Sequence, residues 1–188
     1  GLCPYKTERI NLMNKTKKLV LASLFTALSV ALLYVPFLRF PIFPAAAFLE
    51  YDAMDVPILL GTFLLGGKSG LLITLISSLI QGVTVSSASG LYGIIMHFIS
   101  TGAFTLVSSL VHKKSGKALP SLVAGGLAMT VVMIPANLII TPLFMGVSRS
   151  VVAGMLLPVI IPFNAIKASI NALVTFLVYG PVKKAVKF

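Results

Sequence analysis

Charged residues are scarce in this chain of 188 residues. They make up 10% of it, whereas a globular domain typically contains about 25%. Acidic residues are rarer still: Asp and Glu together number four, and outside the N-terminal tail they are Glu50, Asp52 and Asp55. This shortage argues against a water-soluble domain. It also leaves no carboxylate away from the end of an apolar segment, although ion pumps normally place acids inside their spans.

Cysteine occurs once, as Cys3 in the polar tail, so no internal disulfide can form. The net charge of +11 could suggest nucleic-acid binding. However, the lysines cluster at the ends of apolar segments, and the aromatic residues are mostly Phe within those segments. Basic surfaces with exposed aromatic platforms bind nucleic acid, whereas lysines that flank apolar segments are typical of cytoplasmic loops in membrane proteins. We therefore expect a lipid bilayer as a partner and no nucleic acid.

Apolar runs are what the sequence has in abundance, since 57% of its residues are hydrophobic. Short charged or Gly/Ser-rich breaks separate six segments, namely Leu19–Val35, Asp55–Gly66, Leu71–Val85, Leu91–Val111, Leu119–Met145 and a last one from about Val151 to Lys184. The pattern predicts an all-α integral membrane protein with six transmembrane helices. Residues 15–188 would form a single substrate-binding domain. Residues 1–14, which include Met13, are interpreted as a tag remnant or a flexible extension.

The lysines also predict the orientation. As a helix, Asp55–Gly66 would be only about 18 Å long, short for a hydrocarbon core of about 30 Å. If it nevertheless crosses, all the lysine-rich breaks fall on one side of the membrane, as the positive-inside rule requires. We therefore expect both termini in the cytoplasm, with Gly66–Gly70 as a tight cytoplasmic turn and Asp55 as a helix N-cap.

The loop Pro36–Met54, called the lid below, cannot be helical throughout because three prolines break it. It holds Glu50, Asp52 and many bulky apolar residues. Long loops of this kind in compact domains are usually functional. We expect an ordered outer loop that folds over the ends of the helices. The alternative is a loop that only covers a short helix.

The last segment carries Asn164, Lys167 and Asn171, which lie three and four residues apart and so share one helix face. An ammonium and two amides inside an apolar helix are costly unless they meet partners or a ligand. The stripe therefore predicts a binding cavity, with Lys167 as the only charge inside the membrane. Asn171 could instead bond a neighbouring helix.

Further polar residues gather in the same half of the predicted bundle. Tyr92, Gly93 and His97 lie in the fourth segment, and Asn137 lies between Pro135 and Pro142, which we expect to interrupt the fifth helix. We likewise expect Pro158 and Pro162 to interrupt the sixth. Asn137 could equally satisfy a carbonyl freed by Pro142, and His97 could simply pack or bond a neighbour. We find neither a catalytic triad nor a metal-binding cluster in the sequence, so we expect no enzyme.

Three motifs resemble a known family. They are Phe48-Leu49-Glu50-Tyr51-Asp52-Ala53-Met54-Asp55-Val56-Pro57, Gly90-Leu91-Tyr92-Gly93 and Pro162-Phe163-Asn164-Ala165-Ile166-Lys167. Together with the small-xxx-small pair Ala27 and Ala31, they resemble the S components, or substrate-binding subunits, of energy-coupling factor (ECF) vitamin transporters. The riboflavin-specific members are the most similar.

This resemblance implies a multi-pass protein of the bacterial cell membrane that binds riboflavin as its transported ligand and needs no cofactor or metal. It implies substrate contacts for Asn164, Lys167, Asn137, Glu50, Phe48, Ala47, Leu49, Tyr92, Gly93 and Asn171. It also implies that Ala27 and Ala31 dock on a T subunit, which binds two ATPases. Packing against a sister helix is the other explanation for that pair.

Other functions remain compatible with the residues themselves. The chain could be an S component for another vitamin, such as thiamine or biotin. It could be a small membrane enzyme acting on lipid or isoprenoid head groups, although the lack of acids argues against this. A structural membrane-packing protein without a ligand is the last alternative.

Overall fold

The computed structural model describes residues 15–186, without the side chain of Ala45. Its helices are α1 Lys15–Leu33, α2 Asp55–Leu65, α3 Gly67–Val83, α4 Gly90–Ser115, α5 Ala118–Met145, α6 Arg149–Met155 and α7 Ile161–Ala185. Each predicted apolar segment is mostly helical, although the first three helices end at Leu33, Leu65 and Val83, one or two residues before the predicted ends. The predicted tag remnant or extension, residues 1–14, lies outside the described residues.

Among residues 15–186, four helical stretches are long and apolar enough to cross a membrane. They are α1, α4, α5 and the continuous stretch Arg149–Ala185. The helices α2 and α3 are shorter and are joined through Gly66, whose φ of 93° is readily adopted only by glycine. The tight turn expected at Gly66–Gly70 is thus this single residue, because α3 already begins at Gly67.

The short helix α2 lies at the centre of the bundle. All eleven of its residues are buried, and it packs against α1, α3, α4 and α7. A helix that is hydrophobic all round is expected in such a position. The surrounding helices expose Leu, Ile, Val and Phe on their outer faces. Such faces suit contact with lipid tails, which are as apolar as Leu.

Proline does not interrupt α5, contrary to the prediction. The helix runs unbroken through Pro135 and Pro142, because neighbouring groups in a packed membrane helix can satisfy the carbonyls that proline leaves free. The last helical stretch begins at Arg149, two residues before the predicted start. It widens into a π-helical turn at Leu156–Ile160, which contains Pro158. This turn, and not a break, carries the chain into α7.

The lid is ordered and contains a small hairpin that the sequence did not predict. A turn of 3₁₀ helix, Pro36–Leu38, leads into β1 Arg39–Pro41, and a second, Pro44–Ala46, precedes β2 Glu50–Asp52. The two strands pair antiparallel, with Phe40 opposite Tyr51. Since α2 starts at Asp55, β2 delivers the chain directly to the buried centre of the bundle.

Candidate ligand-binding site

A cavity of about 320 Å³ lies between the lid and helices α3, α4, α5 and α7. This volume is at the lower end of the range for small-molecule pockets. Nine of the ten residues predicted to contact substrate line it, namely Ala47, Phe48, Leu49, Glu50, Tyr92, Gly93, Asn137, Asn164 and Lys167. The tenth, Asn171, lies one turn further along α7 and is not a lining residue among those described.

Aromatic rings form one wall of the cavity. The ring of Phe144 on α5 lies 6.4 Å from that of Phe48 in the lid and 6.0 Å from that of Tyr92 on α4, centroid to centroid. Phe163 and Met133 line the same cavity. Aromatic faces stack on flat rings in offset or tilted arrangements. This wall therefore favours a planar, mostly apolar ligand group.

The ammonium of Lys167 is not an isolated charge. Its Nζ donates to Asp52 Oδ2 at 3.0 Å and lies 3.6 Å from Asp55 Oδ2. Lys167 is 5% exposed and Asp55 is completely buried. Inside the bundle, the expected lone charge of Lys167 is thus accompanied by two buried carboxylates. The two acids come from the end of the lid and the first turn of α2, more than a hundred residues away in sequence.

Asp55 accepts hydrogen bonds on both carboxylate oxygens. Thr101 Oγ1 donates to Oδ1 at 2.8 Å, and Asn171 Nδ2 donates to Oδ2 at 2.9 Å. His97 Nε2 lies 3.0 Å from Oδ1. The prediction that Asp55 caps α2 was wrong, because it is the first helical residue and makes no capping bond. Its position in the first turn still suits a carboxylate, since the positive end of the helix dipole lies there.

We call Asp52, Asp55, His97 and Lys167 the charged floor. Asp52, Asp55 and His97 each have one atom that could bind a metal ion, and these three atoms lie within 4.8 Å of one another. The sequence predicted no metal-binding cluster here, since His97 lies 42 residues after Asp55. However, the Lys167 ammonium already occupies the position between the carboxylates that a cation would need. The arrangement therefore fits an ion-pair network better than a metal site.

The two asparagines on the cavity wall differ in what they offer a ligand. Asn137 donates from Nδ2 to the Met133 carbonyl at 2.8 Å, and its Oδ1 accepts from Thr141 at 2.9 Å. Both ends of the amide are therefore used. The carbonyl of Met133 is not the one freed by Pro142, so that alternative for Asn137 does not apply. Asn164 donates to the Ile160 carbonyl, but its buried Oδ1 has no partner among the described residues. Asn164 therefore presents an open acceptor.

Asn171 connects the charged floor to the lid. Besides donating to Asp55, it accepts a hydrogen bond at Oδ1 from the hydroxyl of Tyr51 on β2 at 3.1 Å. Burial, with the nearby carboxylates of Asp52 and Asp55, raises the pKa of Tyr51 to about 12. Tyr51 therefore acts as a donor throughout the physiological pH range. Asn171 bonds neighbouring elements, which was the alternative left open for it.

Arg39 lines the cavity and is partly exposed, so it lies at the mouth of the cavity. Its guanidinium binds the Glu50 carboxylate, donates to the Val85 carbonyl at 3.0 Å and reaches Ser86 Oγ at 3.2 Å. The hairpin is thus attached to the connection between α3 and α4. Sequence reasoning placed Asp52 near the other polar residues but gave neither it nor Arg39 or Asp55 a role in the site, and it did not single out Thr101. The useful signal was that a lysine in an apolar helix needs carboxylates, and only three lie outside the tail.

Ala27 and Ala31 lie away from the cavity, on α1. Both are exposed in the structure. Packing against a sister helix of the same chain is therefore not their role here. The small-residue surface is open to another helix.

The chain is similar to proteins of one known family. The family described as ECF transporter, substrate-specific component, matches residues 17–179. The riboflavin transporter RibU of Streptococcus thermophilus is 29% identical over 182 residues, which cover 91% of this chain and 85% of that protein. RibU of Staphylococcus aureus is 30% identical over 177 residues, covering 89% and 90%. These relatives are transporters and not enzymes, as expected.

A solved structure points to the same conclusion. The S component of a bacterial ECF transporter is similar with a TM-score of 0.79 and 26% sequence identity, over 93% of this chain and 100% of that one. The resemblance seen in the three sequence motifs is thereby confirmed. The chain is a membrane protein and belongs to the family of ECF transporter substrate-specific components.

Proposed function

We propose that this protein is the riboflavin-binding S component of an ECF transporter. It captures the vitamin outside the cell and delivers it inward with a T subunit and two ATPases. The observation that carries the proposal is the cavity itself, which combines an aromatic wall with the polar groups of Asn164 and Lys167. The names of the curated relatives support the choice of ligand.

Riboflavin suits the aromatic wall of the cavity and its hydrogen-bonding groups. Its isoalloxazine ring is flat and would lie against Phe48, Tyr92 and Phe144. The ring edge carries carbonyl oxygens and ring nitrogens, which accept from an ammonium such as that of Lys167, and one N–H, which can donate to the open Oδ1 of Asn164. The hydroxyls of the ribityl chain can both donate and accept, so they suit Glu50 and Asn137.

The proposed topology has six transmembrane helices. The short helices α2 and α3 each cross as part of the bundle, both termini are cytoplasmic, and the lid faces outward. Residues 15–188 form one substrate-binding domain. The lysine distribution supports this arrangement through the positive-inside rule. The exposed Ala27 and Ala31 on α1 form the surface for the T subunit, since small residues let another helix approach closely.

Absorbance and fluorescence of the purified protein test the ligand. We expect the protein in detergent to bind riboflavin and quench its fluorescence. In the same titration it should not bind thiamine or biotin. Binding of thiamine or biotin alone would assign the chain to another vitamin. No binding of any of the three would reject the proposal.

A further inference from the structure

His97 lines the cavity and stands out because both nitrogens of its ring lie next to buried polar groups. The residue is 8% exposed. Its Nδ1 lies 2.7 Å from Ser78 Oγ, and its Nε2 lies 3.0 Å from Asp55 Oδ1 and 3.3 Å from Thr101 Oγ1. The hydrogens available in these contacts determine the protonation state of the ring.

The Nδ1 side requires a proton on the ring. Ser78 has one hydroxyl hydrogen, and its Oγ donates to the Thr74 carbonyl at 2.7 Å. Two oxygens at that distance need a hydrogen between them. Ser78 Oγ can therefore only accept from His97, so Nδ1 carries a proton.

The Nε2 side requires a second proton. Thr101 has one hydroxyl hydrogen, and its Oγ1 lies 2.8 Å from Asp55 Oδ1, which receives it. A bare Nε2 would then face the lone pairs of both Thr101 and the carboxylate. Asp55 receives donors at both oxygens, from Thr101, Asn171 and Lys167 besides the ring. Hydrogen bonds of this kind stabilise the ionised carboxylate, so the proton stays on Nε2.

The charge balance of the buried groups agrees with this count. With a neutral His97, the carboxylates of Asp52 and Asp55 would outnumber the ammonium of Lys167 and leave one uncompensated negative charge. Tyr51, whose hydroxyl donates to Asn171 beside this network, keeps its proton and adds no charge. Buried charges are tolerated when they are paired and hydrogen-bonded. A protonated His97 makes the charged floor electrically neutral.

We propose that His97 is a doubly protonated imidazolium and a positioning residue for Lys167. By sharing Asp55 with the lysine, it leaves the ammonium paired chiefly with Asp52 at the cavity surface, where the ligand lies. The charge assignment is independent of the ligand, whereas the positioning role rests on the proposed function.

Nitrogen-15 NMR tests the charge directly. The chain has two histidines, so a His112→Gln variant with ¹⁵N-labelled histidine reports His97 alone, in protein without ligand. We expect both ring nitrogens to give protonated signals at neutral pH. One protonated and one unprotonated signal would overturn the assignment.

A double-mutant cycle tests the role. His97→Gln leaves one excess negative charge, Asp55→Asn leaves one excess positive charge, and the double variant restores neutrality with Asp52 and Lys167. We expect each single variant to weaken riboflavin binding about tenfold or more and the double variant to recover most of that loss. The ligand-free melting temperature should follow the same pattern.

A purely structural role for His97 predicts the opposite pattern. The double variant would then be less stable and bind more weakly than either single variant, which would overturn the proposal. If the melting temperatures show the recovery but the parent protein does not bind riboflavin, the ligand proposal fails and the charge assignment stands. His112→Gln serves as the matched control, because His112 lies outside the cavity lining, and we expect unchanged binding.

Discussion

The guanidinium of Arg39 on β1 binds the carboxylate of Glu50 on β2 and, with its remaining donors, the carbonyl of Val85 beyond α3. One side chain thus joins both strands of the lid to the body of the bundle. The pair lies at the cavity mouth and is partly exposed, with 18% of the Arg39 side chain and 36% of the Glu50 side chain accessible. Exposed ion pairs contribute modestly to stability, so this contact is suited to a lid that opens.

We expect Arg39→Gln to speed ligand release. The variant loses the ion pair to Glu50, and a partly exposed pair of this kind contributes up to about 1 kcal/mol, so dissociation should rise roughly two- to fivefold. Stopped-flow fluorescence of bound riboflavin measures the rate. Lys113→Gln removes a positive charge away from the lid and is the control. An unchanged dissociation rate in Arg39→Gln would show that the contact does not hold the lid closed.

Asn164 and Asn137 should differ in their importance for binding. The open Oδ1 of Asn164 is available to a ligand, whereas the Oδ1 of Asn137 already accepts from Thr141. We expect Asn164→Ala to weaken riboflavin binding about three- to tenfold and Asn137→Ala about twofold, from the strength of one neutral hydrogen bond. Fluorescence titration gives both values. The reverse order would contradict the assignment of Asn164 as the main amide contact.

Removing the Lys167 ammonium should cost stability as well as affinity. Lys167→Met leaves Asp52 and Asp55 facing each other without their shared cation, a loss that costs about 3–5 kcal/mol when buried pairs are broken. We expect a clearly lower melting temperature without ligand and weaker riboflavin binding. Lys68→Met, at an exposed lysine, is the matched control. A variant that melts like the parent would mean that the lysine does not stabilise the buried acids.

The α1 surface should affect transport and not binding. In cells that supply the T subunit and ATPases, we expect Ala27→Leu together with Ala31→Leu to abolish riboflavin uptake, because the added side chains prevent close helix approach. Binding by the purified variant should be unchanged, since both residues lie away from the cavity. Ala165→Leu, a single Ala→Leu change at an exposed position on α7, is the control. Loss of binding in the double variant would place these residues in internal packing.

The raised pKa of Tyr51 predicts a loss of stability at high pH. Its pKa is about 12 in the folded protein against 10.0 for the unperturbed group. Unfolded chains therefore lose this proton first, and the stability that Tyr51 contributes is present below pH 10 and lost as the pH rises towards 12. Between pH 10 and 12, the melting temperature should fall less steeply with pH for Tyr51→Phe than for the parent protein. Tyr34→Phe, at an exposed tyrosine, should behave like the parent.

The polar stripe on α7 could be predicted because helical spacing alone places Asn164 and Lys167 on one face. Their ionic partners could not. Asp52 precedes Lys167 by 115 residues, and no local pattern says which acid of a loop enters the bundle. Asp55 was predicted to be an N-cap because an acid just before a helical segment usually caps that helix. In the structure its carboxylate instead binds partners from distant parts of the chain. The unbroken α5 could not be predicted for a similar reason. Proline breaks a helix by local rules, but packed neighbours can satisfy the carbonyls that it leaves free.

Strand β2 is three residues long, so it spans only about 10 Å. Glu50 at its start belongs to the mouth of the cavity, and Asp52 at its end belongs to the charged floor. The two ends of the strand are therefore closely coupled. We expect that lifting Glu50 far enough to admit a solute would also pull Asp52 away from Lys167. Opening of the cavity mouth would then weaken the Lys167–Asp52 ion pair at the same time.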